Sequence, residues 1–177
     1  MAVTTNYGSW LNKAGEGTVG HTIITAVGDF YDEYDIDGIE SDYRDAIEAA
    51  LPDGVFLTGD EFIGPFYDED ADFDGYPQDA EGRLDIAAII ESVDLMAIVE
   101  RHELWTIDQV ADELGFKGDS AKGTARKTLS RWGVERHDMV DHPDSGRPQA
   151  RYKASDVKAA QAVAPGRGSR TDQKATS

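Results

Sequence analysis

Charge is distributed so unevenly along this chain that one evenly mixed globule is a poor expectation. The first 100 residues carry 24 Asp or Glu against Lys13, Arg44 and Arg83, net −21, whereas residues 101 to 177 carry 14 Lys or Arg against 11 acids, net +3. From Lys117 to Arg170 the balance is 12 basic to 6 acidic, so the whole-chain charge of −18 misdescribes the C-terminal half. Such asymmetry points to two small units with different partners, and the length of 177 residues suits that division. Adaptation to high salt would acidify both halves.

Several function classes fall away early. The chain has no cysteine, which removes disulfides, thiolate zinc sites and thiol catalysis. His21, His102, His137 and His142 show no i,i+4 pairing, so they read as isolated exposed histidines rather than a metal cluster. No apolar run reaches the roughly 18 to 20 residues of a membrane span, and the N-terminus lacks a basic region followed by an apolar one. A soluble, cytoplasmic protein is expected. Carboxylates abound, but no nucleophile–base motif or phosphate loop accompanies them, so no enzyme is expected.

Hydrophobic spacing predicts an α+β chain that is mostly α. Residues 1 to 17 are polar and Gly-rich and are expected to be flexible. The run Gly15 to Gly20 satisfies G-x-G-x-x-G, but no strand precedes it, and the motif has weight only between a strand and a helix. Val19, Ile23, Val27 and Phe30 predict a first helix over 18 to 34; Ile39, Tyr43, Ile47 and Leu51 predict a second, ended by Pro52-Asp53-Gly54. Val55 and Leu57, then Phe62 and Ile63, read as short strands, and helical spacing resumes at Leu84, Ile86, Ile89 and Ile90. An acidic module over 18 to 92, a second domain over 93 to 163 and a disordered tail over 164 to 177 follow.

The second domain holds the informative pattern. In "WTIDQVADELGF", Thr106 and Gln109 have capping-box spacing, Ile107, Val110, Ala111 and Leu114 form one apolar face, and Gly115 can end the helix. In "DSAKGTARKTLSRWGV", Ala125, Leu129 and Trp132 share a stripe, while Lys127, Ser130 and Arg131 fall opposite with Arg126 on the flank. One face packs and the other is basic, as a helix reading the major groove requires. A strand, a Pro-Asp-Ser-Gly turn, a second strand "PQARYKA" and a helix that Ser155 could cap come next. Such a basic hairpin is a wing, with Arg147 and Arg151 placed to reach phosphate or the minor groove.

These residues, "TIDQVADELG…TARKTLSRWGV…GRPQARYKASDVKAA", resemble the winged helix-turn-helix of excisionases and MerR-type regulators over roughly residues 94 to 163. The whole chain also resembles small proteins of actinobacterial mobile elements and phages. The linker "GFKGDSAKG" is longer than the tight turn common in that family, and Gly123 weakens the helix locally. The resemblance implies a regulator or accessory factor that binds double-stranded DNA. Candidate DNA-binding residues are Lys122, Arg126, Lys127, Ser130, Arg131, Arg147, Arg151 and Lys153. The alternative is an acidic DNA mimic, or a docking module that inhibits or recruits a DNA-acting partner, with Glu33, Asp35, Asp37, Glu40, Asp42, Asp45 and Glu48 supplying charge.

The densest acidic stretch, "DEDADFDGYPQDAEG", places Asp70, Asp72 and Asp74 at positions one, three and five, glycine at six and Glu81 at twelve of a calcium-loop pattern. Gly64-Pro65 before it argues against an entering helix, and Pro77 removes a backbone donor within the loop. Asp70, Asp72, Asp74 and Glu81 therefore stand as candidate ligands for calcium in a lone loop that is not an EF-hand.

Overall fold

The computed structural model describes residues 3–6, 19–58, 61–65, 73–143 and 145–164. The chain divides into two compact units, Met1–His102 and Glu103–Ser177. Seven α-helices and two three-stranded antiparallel sheets make up the described residues, an α+β chain that is mostly helical. No helix among them is long and apolar enough to cross a membrane.

The first unit runs β1 (Val3–Asn6), α1 (Val19–Val27), a 3-10 segment (Gly28–Glu33), α2 (Ile36–Ala50), β2 (Phe56–Thr58), β3 (Glu61–Gly64), α3 (Ile86–Ser92) and α4 (Leu95–Arg101). Its sheet has the order β1-β3-β2, with Leu57 opposite Phe62 in the expected pair of short strands. β1 lies within residues expected to be flexible, and it pairs with β3 through Thr5 and Phe62. Ile23, Ile39, Tyr43, Ile47, Phe62 and Ile86 form the centre of the core. The four-residue spacing on α2 thus delivers the buried stripe that the sequence implies.

Two expectations for this unit need correction. The first helix does not continue to Tyr34: Gly28 adopts a φ of +60°, where glycine alone is unstrained, and the chain turns into the 3-10 segment. Phe30, expected on the buried stripe, is consequently 63 % exposed. His102 is not an exposed histidine. It is 6 % exposed, with Nε2 2.9 Å from Asp42 Oδ2 and Nδ1 3.5 Å from Asp35 Oδ2. Gly38 permits this approach, because a Cβ there would lie 2.6 Å from His102 Nδ1.

Acids also build the helix starts of this unit. Asp35, Asp85 and Asp94 accept hydrogen bonds from the backbone N–H groups of Gly38, Ala88 and Ala97 at 3.0 to 3.1 Å. Each satisfies an N–H that the helix cannot pair and places negative charge at the positive end of the helix dipole. The Asp94 cap separates α3 from α4, and Ile98 and Val99 of α4 pack in the first core. The division between units therefore falls after His102, later than the break expected after Ser92.

The second unit runs β4 (Leu104–Thr106), α5 (Ile107–Glu113), α6 (Ala121–Trp132), β5 (Asp138–Asp141), β6 (Pro148–Lys153) and α7 (Ala154–Val163). The capping box forms: Gln109 N–H donates to Thr106 Oγ1 at 3.4 Å, and Thr106 N–H donates to Gln109 Oε1 at 2.8 Å. Gly115, at φ +70°, ends the turn after α5 and lets Phe116 N–H reach Ala111 O at 2.8 Å. α7 begins at Ala154, so Ser155 lies inside its first turn rather than capping it. β4, which the hydrophobic pattern did not signal, completes the sheet in the order β4-β6-β5. Trp105, Val110, Ala125, Leu129, Tyr152 and Val157 pack beneath, and the Lys158 ammonium sits 4.8 Å from the centre of the Trp105 ring system.

α6 extends through Gly123, where an added Cβ would meet no atom within 4 Å. Gly123→Ala is therefore expected to stabilise the second unit by about 0.5 to 1 kcal/mol, because alanine loses less backbone entropy in a helix. Chemical denaturation followed by Trp fluorescence checks this; unchanged or lower stability would contradict it.

Candidate functional site

Ala125 and Leu129, 0 % and 1 % exposed, hold one side of α6 against the core. Arg126, Lys127, Ser130 and Arg131 are consequently turned to solvent, with Arg126 and Ser130, and Lys127 and Arg131, stacked one turn apart. None of Arg126, Lys127 and Arg131 forms an ion pair among the described residues. The same holds for exposed Arg147, which follows the turn between β5 and β6. These cations are available to an external anion without first breaking an internal pair.

Arg126 and Arg147, distant in sequence, line one cleft of about 380 Å³ between α6 and the β5–β6 hairpin. Lys122, His142, Pro148 and Gln149 also line it, and its described lining contains no carboxylate. Lys122 reaches Asp108 of α5 at 2.8 Å, with both side chains roughly half exposed. Such a surface pair contributes about 0 to 1 kcal/mol and is readily exchanged for another anion. A larger depression of about 470 Å³ in the first unit has Glu48 and Asp53 as its ionisable lining and gathers no cation.

Two of the expected contact residues are placed differently. Arg151 lies opposite Asp138 in the β5–β6 register. Its Nε donates to Asp138 Oδ1 at 2.8 Å and its Nη2 to the other carboxylate oxygen, with the Arg151 side chain 14 % exposed. This bidentate fork joins the strands and leaves the guanidinium poorly placed to reach a phosphate. Lys153 is partly buried opposite Leu104 at the β4 edge, away from the cleft lining. His142, Ser145 and Gln149 are polar lining residues absent from the expected contacts; the only signal for Gln149 was its position between Arg147 and Arg151.

The calcium-loop pattern falls only partly within the described residues. Asp70 and Asp72 lie outside the described residues, as do Gly15 to Thr18 of the glycine-rich run, while Asp74 is exposed. Glu81 Oε2 accepts from Arg83 Nη2 at 2.8 Å, so the would-be bidentate ligand is engaged by a cation. Asp79, absent from the candidate set, organises the turn: Oδ1 accepts from the N–H groups of Glu81 and Arg83, and Oδ2 from Arg83 Nε at 2.8 Å. Among the described residues, no group of three or more His, Asp or Glu is arranged to hold a metal ion. The acid run from Glu33 to Glu48 is likewise partly engaged, since Asp35 caps α2, Glu40 pairs with Arg44 and Asp42 contacts His102. Comparison with family models, curated proteins and solved structures yields no match for the chain.

Hydrogen bonding from the Arg83 side chain, followed by the backbone N–H bonds, holds the Asp79 carboxyl below its ordinary value. A depressed folded pKa means that the contribution is present above the unfolded value and is lost as pH falls through the folded one, hence below about pH 4. Carboxyl NMR should show Asp79 titrating below a typical aspartate, and Arg83→Ala should move it upward; an unchanged titration would contradict the geometry.

Proposed function

We propose that the second unit is a winged helix-turn-helix that binds double-stranded DNA, and that the protein is a regulator or accessory factor of a mobile element. In this reading α5 and α6 are the helix-turn-helix, β5 and β6 the wing, and α6 enters the major groove. The observation that carries the proposal is the convergence of Arg126 from α6 and Arg147 from the hairpin on a cleft whose described lining has no carboxylate. Phosphate contacts fix register on a duplex, and the clustered cations of α6 and the hairpin suit that role. Lys127, Ser130 and Arg131 occupy the adjoining face of α6, from which base edges can be read.

Engagement of Asp35, Glu40 and Asp42 within the first unit favours this reading over a DNA mimic, which needs outward carboxylates in a regular array. A docking role would use the same surface. Binding to duplexes of mixed sequence across a salt series separates the two.

Arg126→Ala and Arg147→Ala should each weaken duplex binding about three- to tenfold and reduce the slope of log affinity against log salt by about 0.9 if one phosphate contact is lost. Arg151→Ala should instead lower the melting temperature with a smaller change in that slope, since its guanidinium joins two strands. Fluorescence anisotropy and thermal melting read these outcomes. If neither the full chain nor residues 103–164 binds any duplex in a salt-sensitive manner, the DNA proposal is lost.

A further inference from the structure

Gln149 is only 9 % exposed, yet it lines the cleft between α6 and the hairpin. Its side-chain amide makes no hydrogen bond among the described residues, whereas Arg151, two positions along the same strand, is engaged with Asp138. Among the described residues His102 Nδ1 is the one buried side-chain polar atom without a hydrogen-bond partner, so the unbonded Gln149 amide keeps contact with solvent and is reachable from the cleft. The cleft therefore combines the Arg126 and Arg147 guanidinium groups with an amide of unspent hydrogen-bonding capacity. Ile107 and Pro148 add apolar lining, and about 380 Å³ is ample for more than a bare carboxylate.

We infer that this cleft is a seat for one phosphate group, with Arg126 and Arg147 supplying charge and Gln149 Nε2 donating to a phosphate oxygen. Guanidinium forks match the oxygens of a phosphate, and the Gln149 donor adds a hydrogen bond that charge alone does not supply. Exposed Pro148 provides an apolar surface against which an ester's sugar carbons can lie. Lys122 is a reserve cation, because its contact with Asp108 is half exposed. The same chemistry is offered by the backbone of a duplex and by a free phosphate ester. Only the first of these sources rests on the proposed DNA function.

The test uses the full-length protein labelled with nitrogen-15, titrated with inorganic phosphate against chloride at matched ionic strength, then with a nucleoside monophosphate and a short duplex. Phosphate should shift the Gln149 side-chain amide resonance, and Gln149→Leu should weaken phosphate binding about fivefold, as loss of a hydrogen bond to a charged group would. Gln149→Glu should abolish it by placing a carboxylate in the seat. Equal weakening of phosphate and duplex by Gln149→Leu supports the seat with the duplex backbone as its source. Gln149-dependent phosphate binding without any duplex binding supports the seat with free esters as its source, and removes the DNA function. Phosphate binding that Gln149→Leu leaves unchanged, or a wild-type amide resonance unmoved by phosphate, overturns the inference. The wild-type resonance decides the matter even where a variant melts early.

Discussion

The near-complete burial of Ala125 and Leu129 fixes the rotation of α6, and the character of the second unit follows from that rotation. With those two residues against the core, a helix of alternating small, apolar and basic residues has only one way to distribute its charge. Arg126, Lys127 and Arg131 must face outward, and Arg126 must border the hairpin. The hairpin is in turn held by the Arg151–Asp138 fork, so one arginine organises the surface on which another is displayed. Arg147 and Arg151, four positions apart, thus differ in placement: one lines the cleft and the other is engaged between the strands.

The first unit handles the opposite problem. A net charge of −21 over 100 residues would oppose compaction if every acid were merely a surface charge. Asp35, Asp85 and Asp94 instead stabilise helix starts, Asp79 and Glu81 hold Arg83, and Asp42 contacts His102 and Arg101. Local hydrogen bonding thus turns part of the repulsive charge into structure.

Much of the architecture was legible where its cause is local. The Thr106–Gln109 box, the stripe on α6, the glycine after α5 and the four-residue repeat on α2 each depend on residues within a turn or two. What escaped depends on partners far along the chain. β1 and β4 are short and acquire meaning only from β3 and β6. The engagement of Arg151 depends on strand register, and a shift of one residue would have put its side chain on the other face. His102 and Gln149 were similarly opaque, since nothing near them in sequence announces the Asp42 carboxylate or the cleft.

The order of the second sheet has a consequence for how the unit comes into being. β6 lies between β4 and β5, although it is the last of the three strands along the chain. β4 therefore leaves the ribosome with no strand to pair with and waits for Pro148–Lys153, while the intervening helices can form from local contacts. When β6 arrives it receives both neighbours, and Ala154 N–H closes onto Glu103 O at 2.8 Å. Assembly of this sheet is thus timed by the end of the unit, and a nascent chain that stalls before Lys153 would carry α6 and its cations without a completed hairpin beside them.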